Sequence, residues 1–281
     1  MSPASRQVLA TRRAGAVLAA TLALCAGAGA PAAGDTGEPV PAANVAEPAP
    51  AVYTAEPAPA LSTAEPPPSA GTPTAGEAWV ATVIAPTDAR SQPSVRAPRL
   101  VQVPASTPWD TPTKLLVLRA AQDAEGAEWL LVRLEERPNG REAWIYADDA
   151  EVGADPWRVD VSRAQRRMRI YEHGTLRREF PVVVGKPSTP TPTGLFAIAA
   201  ELMQPDPNEF LGAWVMPLTA HSNVLQSFEG GDGQIALHGR GGESLNDPLG
   251  SARSHGCVRL ANESIGWIAL HVPVGTPVLI S

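Results

Sequence analysis

The chain has 281 residues, a formal net charge of −7 and two cysteines. That length suits one large or two modest domains, each able to bury a core. The acidic balance argues against a nucleic-acid partner, and a single cysteine outside the amino-terminal leader cannot form an internal disulfide.

Residues 1–30 place Arg6, Arg12 and Arg13 ahead of an apolar run that ends in small residues. This is the pattern of an export signal, with a cleavage site at Ala26-Gly27-Ala28; left uncleaved, the same run would serve as a membrane anchor. Without it the chain keeps 19 basic and 29 acidic side chains, net −10, and one cysteine, Cys257. In an oxidising compartment a lone thiol is a reactive liability, so its retention needs a reason.

Residues 31–76 are nearly all Ala, Pro, Glu, Thr and Gly, with AEPAP at 46–50 and 55–59 and AEPPP at 64–68. The apolar side-chain area is too small to offset chain ordering, so the segment reads as a disordered linker of polyproline character. Order begins near Glu77. The runs AWVATVIA (78–85), KLLVLRAA (114–121), EWLLVRLE (128–135) and REAWIYAD (141–148) read as strands, and Asn139-Gly140 between the last two is a hairpin turn signal. Trp79, Trp109, Trp129 and Trp144 are read as core residues. These features predict a small β-barrel domain over 77–152.

A second block runs over 157–281. WRVDVS (157–162), RRMRIYEHG (166–174) and LRREFPVVVG (176–185) continue the strand pattern. NESIGWIAL (262–270) is the one good helix candidate, with Asn262 as its cap, and TPVLI (276–280) closes as a strand. Both blocks are therefore mainly β, which puts the chemically interesting residues on loops and strand ends of a sheet scaffold.

Those residues lie in IALHGRGGESLNDPLGSARSHGCVRL, 235–260. A thiol becomes a nucleophile when a histidine or positive charge stabilises the thiolate, and His238, His255 and Arg259 stand within reach of Cys257. His255 is only two residues from Cys257, and so short a tether across Gly256 makes ring and sulfur hard to align. His238, on an adjoining segment, approaches more freely, but spacing alone leaves both as candidates for the base. Zinc on His238, His255 and Cys257 is the competing reading; His-x-Cys is tighter than usual ligand spacing and no second cysteine stands nearby, so no metal is expected. A buried structural cysteine is the other alternative, disfavoured by the Gly and Ser around it. His173, His221 and His271 are isolated and read as core or surface residues.

From His238-Gly239 through Ser254-His255-Gly256-Cys257-Val258-Arg259 the stretch resembles the L,D-transpeptidase (YkuD-type) catalytic domain family. VVVGKPSTPTPTGLFAI (182–198) and LGAWVMPL (211–218) are similar to further family segments, and 77–152 resembles the small SH3-like β modules that precede such domains. The resemblance implies a β-sandwich-like catalytic domain and a peptidoglycan L,D-transpeptidase of the cell envelope. Cys257 would be the nucleophile, His238 its base and the Gly239 carbonyl the group that orients the imidazole. His255 would line the oxyanion and substrate region, with the Gly256 and Cys257 N–H groups as oxyanion donors. Arg259, Ser254 and Trp214 would order loops or bind substrate. The implied partners are a donor tetrapeptide stem and an acceptor amine, handled by a monomer without cofactor; hydrolysis, D-amino-acid exchange and a non-catalytic wall-binding role are the alternatives.

Overall fold

The computed structural model describes residues 62–63, 73–74, 76–228 and 231–281. The expected leader and nearly all of the Pro/Ala-rich segment lie outside the described residues. Among the described residues strands dominate.

The amino-terminal strands are β1 (Ser62–Thr63), β2 (Ala78–Val83), β3 (Thr87–Arg90), β4 (Arg99–Val103), β5 (Lys114–Gln122), β6 (Glu128–Arg133), β7 (Glu142–Tyr146) and β8 (Ala150–Asp155). They form one sheet in the order β1-β8-β2-β5-β6-β7-β3-β4. Trp79, Val83, Val117, Leu130, Val132 and Ile145 alternate inward and share a core. Trp129 is also buried, packed edge-on to Tyr146, and its indole N–H donates to Asp123 at 3.0 Å. Trp109 is only half-buried. The four apolar runs all became strands, whereas β3, β4 and β8 had no such run to announce them. Among the described residues these strands do not close into a barrel: the end strands of the ladder, β1 and β4, do not pair.

β6 and β7 are antiparallel, Trp129 opposite Tyr146 through Arg133 opposite Glu142. The turn that joins them is closed by Leu134 N–H to Arg141 O at 3.0 Å and Arg141 N–H to Pro138 O at 3.1 Å.

The carboxy-terminal part contains β9 (Trp157–Ser162), β10 (Arg167–Glu172), β11 (Thr175–Pro181), β12 (Val184–Gly185), β13 (Gly194–Ala197), β14 (Leu202–Met203), β15 (Trp214–His221), β16 (Gln234–His238), β17 (Ala252–Ser254), β18 (Val258–Arg259), helix α1 (Asn262–His271) and β19 (Pro277–Ile280). One sheet has the order β11-β10-β9-β19-β13, a second β14-β15-β16-β18, and β12 pairs with β17. Val159, Ile170, Phe196, Leu218, Leu237 and Ile265 come from both larger sheets and α1 into one core. Each such side chain contributes about 1.5–3 kcal/mol by leaving water. β15 is buried along its whole length, so it runs through the middle of this core.

The two parts touch through side chains of both. Ala78, Leu116 and Leu118 pack with Ala197, and Thr276 Oγ1 donates to the buried Asp155 carboxylate at 2.7 Å.

Candidate active site

Strand register decides which side chains meet. β15 is antiparallel to β16 with Val215 opposite His238, and β16 is parallel to β18 with Leu237 opposite Val258 and His238 opposite Arg259. Side chains alternate along a strand, so Val215, Ala236 and His238 project from one face. Cys257 packs against Val215 and Ala236, which puts its sulfur on the face that carries the imidazole. Phe210 spans the two, its ring 6.3 Å from that of His238 and its edge against the Cys257 cluster.

The turn that delivers Cys257 is tied on both sides. Gly256 has φ +132°, a left-handed value that side chains resist, and a Cβ there would stand 2.7 Å from Ile235 Cδ1. Ser254 Oγ accepts from Gly256 N–H at 3.1 Å and donates to Cys257 O at 2.6 Å. Thr191, from the STPTPTG stretch, donates to Gly256 O at 2.7 Å and accepts from Gly185 N–H at 2.9 Å. Lys186 N–H adds a bond to Ser254 O at 2.9 Å. The 182–198 segment is therefore the backing of the SHGC turn.

His238 is fully buried, and its Nδ1–H donates to Gly239 O at 2.8 Å. That bond selects the tautomer with Nε2 unprotonated, and Nε2 is buried. Burial, and then the Arg259 guanidinium, push the imidazole down to about 3 against the raising effect of the Gly239 and Leu211 backbone. At neutral pH it is an uncharged acceptor. His255 sits differently. Lys186 Nζ lies 3.0 Å from its Nε2, and an ammonium can only donate, so that nitrogen is the acceptor. The ring of Phe228 stacks on His255 at 5.3 Å.

The remaining expected residues fall into supporting places. Arg259 is 2% exposed, bound to Asp247 through Nη1 at 2.7 Å and lying over Phe210 at 4.8 Å; these contacts tie the 240–253 loop to the site floor. Trp214, expected at the cleft, is 7% exposed and lies in the core, because its side of β15 faces the opposite sheet. Asn262 does not cap α1; Ala261 holds that position. The Asn262 side chain instead accepts from Ala213 N–H and Arg240 N–H at 3.1 and 3.0 Å and donates to Pro207 O and Arg240 O at 3.1 and 2.9 Å. It thereby fastens the backbone just beyond His238.

The surroundings of Cys257 also differ from expectation. The Gly and Ser neighbours suggested a thiol kept out of apolar packing, but it is 0% exposed and covered by Leu202, Phe210, Leu211 and Phe228. Those side chains come from other segments, which the local sequence around a cysteine does not reveal. Lys186, Thr191, Phe210 and Asp247 were given no role by their spacing; for Lys186 and Thr191 the signal was the GKPSTPTPTG stretch itself. No cluster of three metal-binding side chains occurs among the described residues.

Residues 156–280 match the family model described as the L,D-transpeptidase catalytic domain, YkuD. The chain is similar to the YkuD proteins of Bacillus licheniformis (33% identity over 126 residues) and Bacillus subtilis (29% over 128), both named for L,D-transpeptidase. Each match covers 45% of this chain and 66% of the relative, so the chain spans just under two thirds of their length. The solved catalytic domain of the E. faecium L,D-transpeptidase aligns at 20% identity and a TM-score of 0.35, over 45% of this chain and 98% of that one. The matched residues enclose His238, Gly239 and Ser254 through Arg259, so residues 156–280 are a YkuD-type L,D-transpeptidase catalytic domain.

Proposed function

We propose that this protein is an envelope peptidoglycan L,D-transpeptidase that works through a Cys257 acyl-enzyme. The observation that carries the reading is the placement of a neutral, carbonyl-anchored His238 on the same sheet face as Cys257, inside a domain of this family. Cys257 is the nucleophile, His238 the base and Gly239 O the group that holds the imidazole. His255 lines the substrate region, and Ser254 and Arg259 hold the loops.

The steps balance without a cofactor. His238 Nε2 takes the thiol proton as sulfur attacks the carbonyl between diaminopimelate at position three and D-alanine at position four. The Cys257 N–H receives the negative charge on the carbonyl oxygen; the Gly256 N–H, expected to share that role, already donates to Ser254 Oγ. The C–N bond breaks, the imidazolium returns the proton to the departing D-alanine amine, and a thioester remains. The side-chain amine of a second stem then attacks, His238 takes its proton, and a 3→3 amide forms as the thiol is restored. One amide replaces another, so no nucleotide is required.

His238 at about 3 is a weak base for a thiol that normally titrates near 8.5. Its protonation is therefore favourable only while the sulfur carries the compensating negative charge or is bonding to carbon. We place the protein outside the cytoplasm as a monomer, delivered or tethered by residues 1–30 and spaced by 31–76. The β module over 77–152 is read as SH3-like in broad outline despite its open ladder.

Purified protein incubated with disaccharide-tetrapeptides tests the proposal: cross-linked dimers and free D-alanine are expected, and neither from Cys257→Ala. Tripeptides without dimers would make it a hydrolase, exchanged terminal D-amino acids an exchange enzyme, and identical product profiles for both proteins a non-catalytic wall binder.

A further inference from the structure

The roof over the thiol is held by the other part of the chain. β15 ends at His221 and β16 begins at Gln234; the connection between them carries Phe228, which stacks on His255 and packs against the Cys257 cluster. This connection bonds to the turn of the amino-terminal β6–β7 hairpin more than 80 residues earlier. Arg137 donates from Nη1 to Ser222 O at 2.8 Å, and from Nη2 to Leu225 O and Asp232 O at 3.0 and 2.6 Å. One guanidinium thus grips both limbs of the connection, before and after Phe228. Asn139 pairs with the His221 backbone in both directions, accepting from N–H at 2.7 Å and donating to O at 2.6 Å, as an added strand residue would. Glu135 accepts from Gln234 Nε2 at 2.5 Å.

We propose that Arg137 and Asn139 of the β6–β7 hairpin are positioning residues for the acyl-transfer site: they hold Phe228 over His255 and Cys257 and so set how far the thiol is open to a stem peptide. Three physical points support it. The guanidinium spends its donors on carbonyls of a loop rather than on a carboxylate, which is structure-forming and not charge-pairing chemistry. Hydrogen bonds from a charged donor are the stronger ones, so losing three shifts an opening equilibrium by an order of magnitude or more. And the covered state of Cys257 must open before a substrate of any size can reach the sulfur, which makes the roof anchor part of the reaction cycle. Asn139-Gly140 closes the β6–β7 hairpin, and the tertiary role of this turn is to dock.

The proposal rests on the acyl-transfer reading for its consequence, yet its test needs no substrate. The alkylation rate of Cys257 by iodoacetamide is followed in the full chain by peptide-resolved mass spectrometry, which separates it from Cys25. Arg137→Ala is expected to raise that rate about tenfold or more, Asn139→Ala severalfold, and Arg137→Lys less than Arg137→Ala. Phe228→Ala, which removes the one covering side chain that this connection carries, is expected to raise it as much as Arg137→Ala, and the double variant no further. Such non-additivity marks two residues acting on one element, whereas loosening of the whole fold would add to it. With disaccharide-tetrapeptide, Arg137→Ala should change KM more than kcat. Rates within twofold of the parent in Arg137→Ala and Asn139→Ala, or fully additive effects with Phe228→Ala, would overturn the proposal. Should Arg137→Ala fail to fold, Asn139→Ala combined with Phe228→Ala completes the same cycle. An inactive protein with roof-dependent alkylation would sink the enzymatic reading alone; an active one with roof-independent alkylation would sink only this inference.

Discussion

Cys257 and His238 are each fully buried, and their chemistry follows from that. An imidazole held at about 3 by burial and by Arg259 is already neutral across the working range. The acid limb of kcat/KM should therefore lie below about pH 5, and a limb at the ordinary histidine value near 6.5 would show that His238 is not the base. Stability carries the same signature. The folded state binds fewer protons at His238 than the unfolded chain between about 3 and 6.5, so stability is full above 6.5 and falls as pH drops through that window. The slope is up to about 1.4 kcal/mol per pH unit. His238→Gln should flatten this loss in urea titrations at pH 4 to 7 while abolishing transfer. Retention of the full acid slope in that variant would assign it to another group.

At the scale of elements, the SHGC turn depends on residues far from it in sequence. Thr191→Val keeps the volume but removes the buried bond to Gly256 O and the partly buried one from Gly185 N–H. The expected cost is about 1–3 kcal/mol, with a fall in transfer rate because the Cys257 N–H, the proposed oxyanion donor, loses its fixed direction. Asn262→Ala should cost more than an ordinary cap residue would, about 2–4 kcal/mol, since four bonds to three backbone segments go at once. Equilibrium unfolding of the two variants checks both figures. The strands β2, β5, β6 and β7 were legible because each is a run of apolar residues, most of them buried. Asn262 was misread as a cap because helix-start chemistry and loop-fastening chemistry use the same amide, and only the fold says which backbone it meets.

Across the whole molecule, the junction between the two parts buries two carboxyl groups. Glu201 in the carboxy-terminal part is pushed up to about 8 by burial, against the lowering effect of Lys114 in the amino-terminal sheet. Asp155 is pushed up to about 6 by burial, against its bonds from Thr276 and the Trp157 backbone and against Lys114. The folded state holds the Glu201 proton more tightly than the unfolded chain between 4.5 and about 8, so stability falls as pH rises through that window. Glu201→Gln should raise the melting temperature at pH 8 to 9 and leave it nearly unchanged at pH 4. An equal gain at both would point to packing instead. Gly275 has φ +98°, and a Cβ there would stand 2.4 Å from Val80 Cγ1 across the same junction. Gly275→Ala should therefore weaken the contact, read as a lower melting temperature or the splitting of one calorimetric transition into two.

The strand-rich class, a helix over 262–270 and the histidine, glycine and cysteine segment proposed to carry the chemistry were legible in the sequence, because these are local: periodicity, turn residues and a short motif. Tertiary structure decided what is non-local. Register across β15, β16 and β18 puts Cys257 on the face of His238, distant side chains roof the thiol, Trp214 turns into the core, and a hairpin of the amino-terminal sheet holds the roof. Burial and pairing depend on which segments come together, and one chain read in order does not contain the neighbours that folding supplies.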